Sequence, residues 1–288
     1  AYEIGTGLVG SEMCIRDRVT ISNLMIQVKA GDINEELVRH MVLNSIRSYR
    51  TKFSNDFGEL ILCYDDKNCW RKEYFPYYKS NRKKTRTESS LDWNELFTML
   101  NKIQKEIEEN FPYQVLKIEG AEADDIIATI VKSVSTTPEL FEDILILSGD
   151  KDFIQLQKFE NVKQYSPTTK KYVDDLDPKQ YVFEHIINGD KGDGVPNILS
   201  SDTVFVEELR QKPITKKKLG EWKMFGIPKE EHIQRNYQRN KKLIDLDEIP
   251  NDLREIIHNK WIEKKINDRS KILPYLSLIH ISEPTRPV

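Results

Sequence analysis

Cysteine and histidine are scarce in this chain. Three Cys and five His in 288 residues supply neither a four-ligand zinc spacing nor a secreted disulfide framework, since Cys14 stands near the start and only Cys63 and Cys69 remain beyond it. A reducing, cytoplasmic compartment suits that usage, and a hydrolase built on histidine is disfavoured. No apolar run approaches the roughly 20 residues needed to span a bilayer, so no membrane partner is expected. Charge of one sign is missing too: 44 Lys+Arg against 47 Asp+Glu leave a net −3, too even to announce a nucleic-acid partner from totals. What the chain does have is charge gathered into short strings.

Glu122-Ala123-Asp124-Asp125, Asp150-Lys151-Asp152 and Asp190-Lys191-Gly192-Asp193 are acidic clusters, with a further pair at Asp65-Asp66. Carboxylates this close repel one another unless protons or cations neutralise them, so their meeting in space would imply a divalent-metal site. Asp143–Ser148 (DILILS) reads as a buried strand running into Asp150 and Asp152, and Glu59–Tyr64 (ELILCY) repeats the pattern before Asp65. Ligands of open α/β sheets bind beyond the carboxyl ends of the strands, where these acids would converge. Glu122, Asp124 and Asp125 precede a helix-like apolar spacing from Ile126 to Val134. Acids at a helix start also complement the macrodipole by about 0.3–1 kcal/mol, so that cluster alone has a purely structural explanation.

Strands alternating with helices predict an α/β fold, a mostly parallel sheet flanked by helices. The expected helices are Glu35–Tyr49 and Trp93–Phe111, with a strand at Gln114–Ile118. Beyond Asp193, Pro196, Pro213, Pro228 and Pro250 divide short helical segments without a clear strand, which places a small helical subdomain at 182–275. The ends read differently. Residues 1–18 (AYEIGTGLVGSEMCIRDR) and 276–288, beginning LSLIHISEPTR, resemble translated sequencing-library adapters, and both are set aside from the expected fold.

Trp70–Arg86 (WRKEYFPYYKSNRKKTR) interleaves Arg71, Lys72, Lys79, Arg82, Lys83, Lys84 and Arg86 with Tyr74, Phe75, Tyr77 and Tyr78. Cations that neutralise phosphates between rings that stack on bases suit single-stranded nucleic acid, each stack contributing about 1–3 kcal/mol. A solvated basic helix with its aromatics in the core fits the same pattern.

In order, YDD, WRKEYFPYYKSNRKKTR, EAEADDIIA, SGDKDFIQL and GDKGDGVPNI resemble the 5′ nuclease superfamily of flap endonucleases and polymerase-associated 5′ to 3′ exonucleases. Within it the likeness is greatest to the ribonucleases H of T-even phages, with VRHMVLNSIR, VKQYSP and LIDLDEIP as further points. The resemblance spans nearly all of Val19–Tyr275. It implies a PIN-like nuclease core at 19–181 with an arch at 70–86, followed by a helix-hairpin-helix, or helix-three-turn-helix, element at Gly189–Ile198.

The resemblance also implies roles. Asp65, Glu122, Asp124, Asp150, Asp152 and Asp193 match the acids that hold two Mg²⁺ ions, for which Mn²⁺ is a possible substitute, while Asp66, Asp125 and Asp190 would support them from behind. Lys79 and Arg82 would steer phosphates in the arch beside Arg71 and Lys83, Tyr78 would stack on a base, and Gly192 and Gly194 would let backbone approach a phosphate. The implied activity is a Mg²⁺-dependent, structure-selective 5′ to 3′ nuclease removing RNA primers and DNA flaps in phage lagging-strand replication. Its partners would be branched or flapped DNA and RNA–DNA hybrid, a single-stranded-DNA-binding protein and a sliding clamp, and it would act as a monomer in the bacterial host cytoplasm.

One departure stands out. The superfamily opens with a strand carrying its first active-site Asp, and the adapter-like leader occupies that place, with no such residue before Ile21. A missing strand, a weaker sheet edge and lowered or absent activity are therefore expected. Two other readings use the same residues: a non-catalytic junction-binding protein, and a PIN-like ribonuclease for single-stranded RNA.

Overall fold

The computed structural model describes residues 12–16, 34–82, 92–175, 177–263 and 268–280. A sheet runs in the order β3-β2-β1-β4-β5-β6, from β1 (Glu12–Arg16), β2 (Glu59–Tyr64), β3 (Gln114–Lys117), β4 (Ile144–Leu147), β5 (Val162–Ser166) and β6 (Lys171–Tyr172). Its pairs are parallel except for the β5–β6 hairpin. Helices α1 (Glu35–Phe57), α2 (Trp70–Tyr74), α3 (Trp93–Asn110) and α4 (Ala123–Thr136) connect the strands, and a 3₁₀ segment, Lys151–Lys158, follows β4. Then come α5 (Pro178–Asn188), α6 (Lys216–Phe225), α7 (Glu231–Ile244), α8 (Asn251–Ile262) and α9 (Ile272–His280).

Period-two alternation divides the apolar strand residues between two cores. Ile61, Cys63, Ile144 and Ile146 face α4 and α8, meeting Ile126, Ile127, Ile257 and Trp261. Leu60, Leu62, Leu145 and Leu147 face α1 and α3, meeting Val42, Ile103 and Ile107. Burial on both faces is why these strands read as continuous apolar runs. Local capping agrees: the Asn34 side chain accepts the Leu37 N–H, Asp92 accepts those of Asn94 and Glu95, and Glu122 and Asp125 form a capping box on α4. Ile127 is fully buried, so Ile127→Ala should lower unfolding free energy by about 2–5 kcal/mol in urea denaturation, with an unchanged slope against denaturant.

The N-terminal leader behaves differently from the expectation. Glu12–Arg16 forms a strand between β2 and β4, with Cys14 opposite both Ile61 and Ile146, so the position is the middle of the sheet and the expected edge gap is absent. Two parallel strands bounding a gap would each leave unpaired N–H and C=O groups, and one inserted strand satisfies both rows. Asp17 is the next residue in sequence, so an acid does precede Ile21; it lies outside the described residues. At the other end, Leu276 belongs to α9, and Leu276 and Tyr275 pack against the α1–α3 core.

The hairpin β5–β6 also escaped the sequence pattern. Its strand VKQYS carries Gln164 at a fully buried position, a polar residue where periodicity looks for an apolar one. The helices beyond 182 wrap the core closely: Leu253, Ile257 and Trp261 of α8 share the α4 core.

Candidate active site

At the carboxyl end of β4, Asp150 caps the 3₁₀ segment, its side chain accepting the Asp152 N–H at 3.2 Å. Gln164 anchors this turn from the next strand by donating to the carbonyls of Ser148 and Asp150 at 2.9 and 2.7 Å. The segment is thereby fixed so that Asp152 enters a pocket also lined by Asp124, Asp190 and Asp193, with Arg71 and Tyr78. Burial, then the charge of Asp150, and to a lesser extent Asp190 and Asp193, push the Asp152 carboxyl up to about 7, against a lowering by His185. Negative side chains from α4, the 3₁₀ segment and the turn after α5 thus share one small space.

Asp65 and Glu122 are not in that pocket's lining, but Glu122 bonds its Arg71 and Tyr78. Asp65 Oδ1 accepts the Ala123 N–H at 2.8 Å, which ties the end of β2 to the start of α4. Glu122 is buried, and burial alone would push its carboxyl up, but Lys79 and Arg71 more than offset this and hold it below the ordinary carboxylate range. Its Oε2 accepts from Arg71 Nη1 and from the Tyr78 hydroxyl, both at 3.0 Å, and its Oε1 accepts from Lys79 Nζ.

Lys79 and Arg82 sit over the acids. Lys79 Nζ is 3.4 Å from Asp193 Oδ2, and Arg82 Nη2 bonds Asp193 Oδ1. The base of the expected arch is latched to the turn at 190–194 through backbone as well: Lys79 N–H donates to Asp193 O at 2.7 Å, and Asn81 Nδ2 to Lys191 O at 2.7 Å. Gly194, at φ 71°, lies in this seam, where an added Cβ would come within 3.1 Å of Tyr77 O.

Several expected roles change. Arg71 is 3% exposed and pairs with Glu122 and Asp125, Nη2 lying 2.8 Å from Asp125 Oδ1, so its guanidinium is engaged in organising the acids at the pocket wall. Tyr78 is 5% exposed, which leaves no ring face for a base; its hydroxyl lies 3.0 Å from Glu122 Oε2 and 2.8 Å from Asp193 Oδ2. Burial, followed by those two carboxylates, raises it well above the ordinary phenol range. Gly192 gives its N–H to Asp190 Oδ1 at 2.7 Å. Lys83 lies outside the described residues. Tyr78→Phe removes a donor shared by buried Glu122 and half-buried Asp193 and should cost about 1–3 kcal/mol in thermal or urea unfolding. Single-stranded DNA affinity of the folded variant should stay within about threefold, less than one stacked base is worth.

The supporting acids divide. Asp125 is fully buried, accepting from Arg71, Trp70 Nε1 and the Glu122 N–H, and Asp66 holds the Asn68 and Gly120 N–H groups in a turn. Asp190, by contrast, borders the pocket itself. Sequence reasoning passed over His185, whose Nδ1 is 3.5 Å from Asp152 Oδ1 and whose Nε2 is 3.8 Å from Asp190 Oδ2. Burial works against its protonation, but Asp190 and Asp152 outweigh that and raise its pKa. Its signal was the spacing: His185 lies in the last turn of α5, one turn after Tyr181 and just before the GDKGD turn. The donor set is oxygen-rich, and one ligand atom each from Asp152, His185 and Asp190 lies within 4.8 Å of the others, a grouping that fits a divalent cation.

Comparison with known proteins finds relatives along nearly the whole chain. The family described as 5'-3' exonuclease, N-terminal resolvase-like domain, matches residues 25–186, and that described as T4 RNase H, C terminal, matches residues 177–286. Ribonuclease H of Enterobacteria phage T4 is 35% identical over 292 residues, covering 96% of this chain and 94% of that protein. DNA polymerase I of Lactococcus lactis subsp. cremoris is 27% identical over 172 residues, 54% of this chain and 19% of that one. A T5 5'-exonuclease with bound zinc is similar in fold, with TM-score 0.63 and 20% identity over 88% of this chain and 98% of that one. Acids gathered at the strand ends, matched along almost the whole sequence to a phage nuclease, place the chain in the 5′ nuclease superfamily, as a relative of T4 ribonuclease H.

Proposed function

We propose that this chain is a Mg²⁺-dependent, structure-selective 5′ to 3′ nuclease that hydrolyses phosphodiesters of RNA primers and DNA flaps in phage lagging-strand replication. The observation that supports this most is the single pocket bordered by Asp124, Asp152, Asp190 and Asp193, with Asp65, Glu122 and Asp150 beside it. A pair of divalent cations, when bound, supplies an activated water and stabilises charge on the leaving oxygen of an in-line displacement. The chain's part is to hold those cations on carboxylates and to keep Lys79 and Arg82 poised above them, where a substrate phosphate would replace Glu122 and Asp193 as their partner. Arg71 and Tyr78 keep Glu122 and Asp193 oriented from below.

In this reading residues 19–181 form the nuclease core, and residues 182–275 grip duplex through a helix-hairpin-helix element around Gly189–Ile198. The name of the T4 relative supports RNA–DNA hybrid as one substrate, and a T5 flap endonuclease of the same fold, crystallised with DNA and metal ions, supports flapped DNA as another. A single-stranded-DNA-binding protein and a sliding clamp are the partners this role calls for. The lowered activity expected from the sequence rested on a missing first strand, and with β1 standing between β2 and β4 that ground does not carry over into the reading.

The test compares a 5′-labelled flapped duplex, an RNA–DNA hybrid and an unstructured RNA in Mg²⁺. Flap and hybrid should be cut at least about tenfold faster than the unstructured RNA, a difference of about 1.4 kcal/mol in activation free energy. Equal cutting of unstructured RNA would favour a single-strand ribonuclease, and tight flap binding without any cutting would favour a junction-binding protein.

A further inference from the structure

We propose that the outward face of α6 is a docking surface for a partner protein, and that it takes a short segment in which apolar side chains alternate with Asp or Glu. The face shares no residue with the acidic pocket, and its role goes beyond cleavage.

One side of α6 is accounted for by the fold and the other is not. Trp222 is buried with Ile187, Ile198 and Ile233, and Leu219 and Ile227 pack against the same small cluster. Residues three and four apart share a helix face, so with Leu219 and Trp222 turned inward, Lys217, Gly220, Glu221 and Met224 turn outward, all of them exposed. Met224 is 74% exposed and Phe225, beside it, 81% exposed. Two large apolar side chains standing together in water do nothing for this chain's own packing, and an exposed apolar patch rimmed by charge marks an interaction surface. Gly220 agrees. A glycine inside an exposed helix weakens it relative to alanine, and a Cβ here would meet nothing within 4 Å, so the fold itself does not call for glycine. A partner backbone approaching one turn from Met224 gives it a use.

Charge identifies the occupant. Lys216, Lys217, Lys218 and Lys223 stand in α6 against one acid, Glu221, in a chain whose net charge is −3. Complementary charge favours an acidic partner. A nucleic-acid backbone is the poorer fit: Glu221 stands on the outward face itself, 4.0 Å from Lys217, where it would repel phosphates laid along the helix, and Met224 and Phe225 offer phosphates nothing. An amphipathic peptide sets its acids against the lysines and its apolar side chains against Met224 and Phe225.

The test uses the full chain and a fluorescein-labelled peptide of about 12 residues made of Glu-Glu-Leu-Phe repeats, read by fluorescence anisotropy. The parent should bind it saturably, and Phe225→Ser should weaken binding at least about tenfold, the scale of losing an aromatic anchor. Lys217→Gln combined with Lys218→Gln should flatten the dependence of affinity on salt. A peptide of Glu alone, or of Lys-Lys-Leu-Phe repeats, should bind at least about tenfold more weakly than the first. Affinity of Phe225→Ser for a flapped duplex, and its cleavage rate, should stay within about threefold of the parent, less than 1.4 kcal/mol. No saturable binding by the parent, equal binding of the Glu-only peptide, or undiminished binding by Phe225→Ser overturns the inference and leaves the nuclease reading standing. Loss of flap affinity in Phe225→Ser with peptide binding intact gives the face to nucleic acid and overturns it as well. Circular dichroism checks that Phe225→Ser folds, with Met224→Ser in its place if it does not.

Discussion

Asp152→Asn is expected to reduce metal-dependent flap cleavage by at least about 10³-fold while leaving flap affinity within a few-fold of the parent. The size follows from what the carboxylate does in the proposed site. The charge of Asp152 is strongly opposed by its burial and by Asp150, with Asp190 and Asp193 also acting on it. The amide keeps the shape and removes the charge that would hold a cation. Losing a cation's stabilisation of a phosphodiester transition state costs several kcal/mol, and about 4 kcal/mol already corresponds to about 10³ in rate. Affinity depends mainly on phosphate neutralisation by Lys and Arg, which the substitution does not touch. Single-turnover cleavage and a binding titration in Ca²⁺ or without metal separate the two. A variant that cuts at a tenth of the parent rate would remove Asp152 from the reaction.

The second large effect concerns a residue expected from sequence to bind nucleic acid. Arg71→Met should destabilise the fold by about 3–5 kcal/mol in urea unfolding, because it leaves Glu122 and Asp125 buried with an uncompensated charge. Its Nε also donates to Leu243 O at 2.8 Å, so the same change loosens α2 from α7. Binding should respond differently: the slope of log affinity against log salt should stay within about half a unit of the parent, since no phosphate contact is lost. A stable variant with a slope reduced by about one would return Arg71 to the surface role that its place in a basic string suggested.

How far the sequence could lead is clear from particular residues. The strands Glu59–Tyr64 and Ile144–Leu147 were legible because burial on both faces makes them unbroken apolar runs. The acids at their ends were legible because short strings of like charge are visible without any knowledge of tertiary structure. The orientation of Arg71 and Tyr78 was not legible. A basic, aromatic string has the same composition whether its rings meet bases or the core, and only the pairing with Glu122 and Asp193 decides between them. Strand β1 was hidden for another reason: a resemblance to adapter sequence speaks to origin, whereas pairing depends on a gap between β2 and β4 that any short extended segment can enter. The approach of His185 to Asp152 and Asp190 was not legible because it depends on the reversal at Gly189, which folds the end of α5 and the next turn onto Asp152.

The most direct measurement is anomalous scattering from crystals of this chain soaked in Mn²⁺. The account predicts ordered metal within bonding distance of the carboxylates of Asp152 and Asp190, bordered by Asp124 and Asp193. Metal found only at other surfaces, with these four side chains turned away from one another, would contradict it.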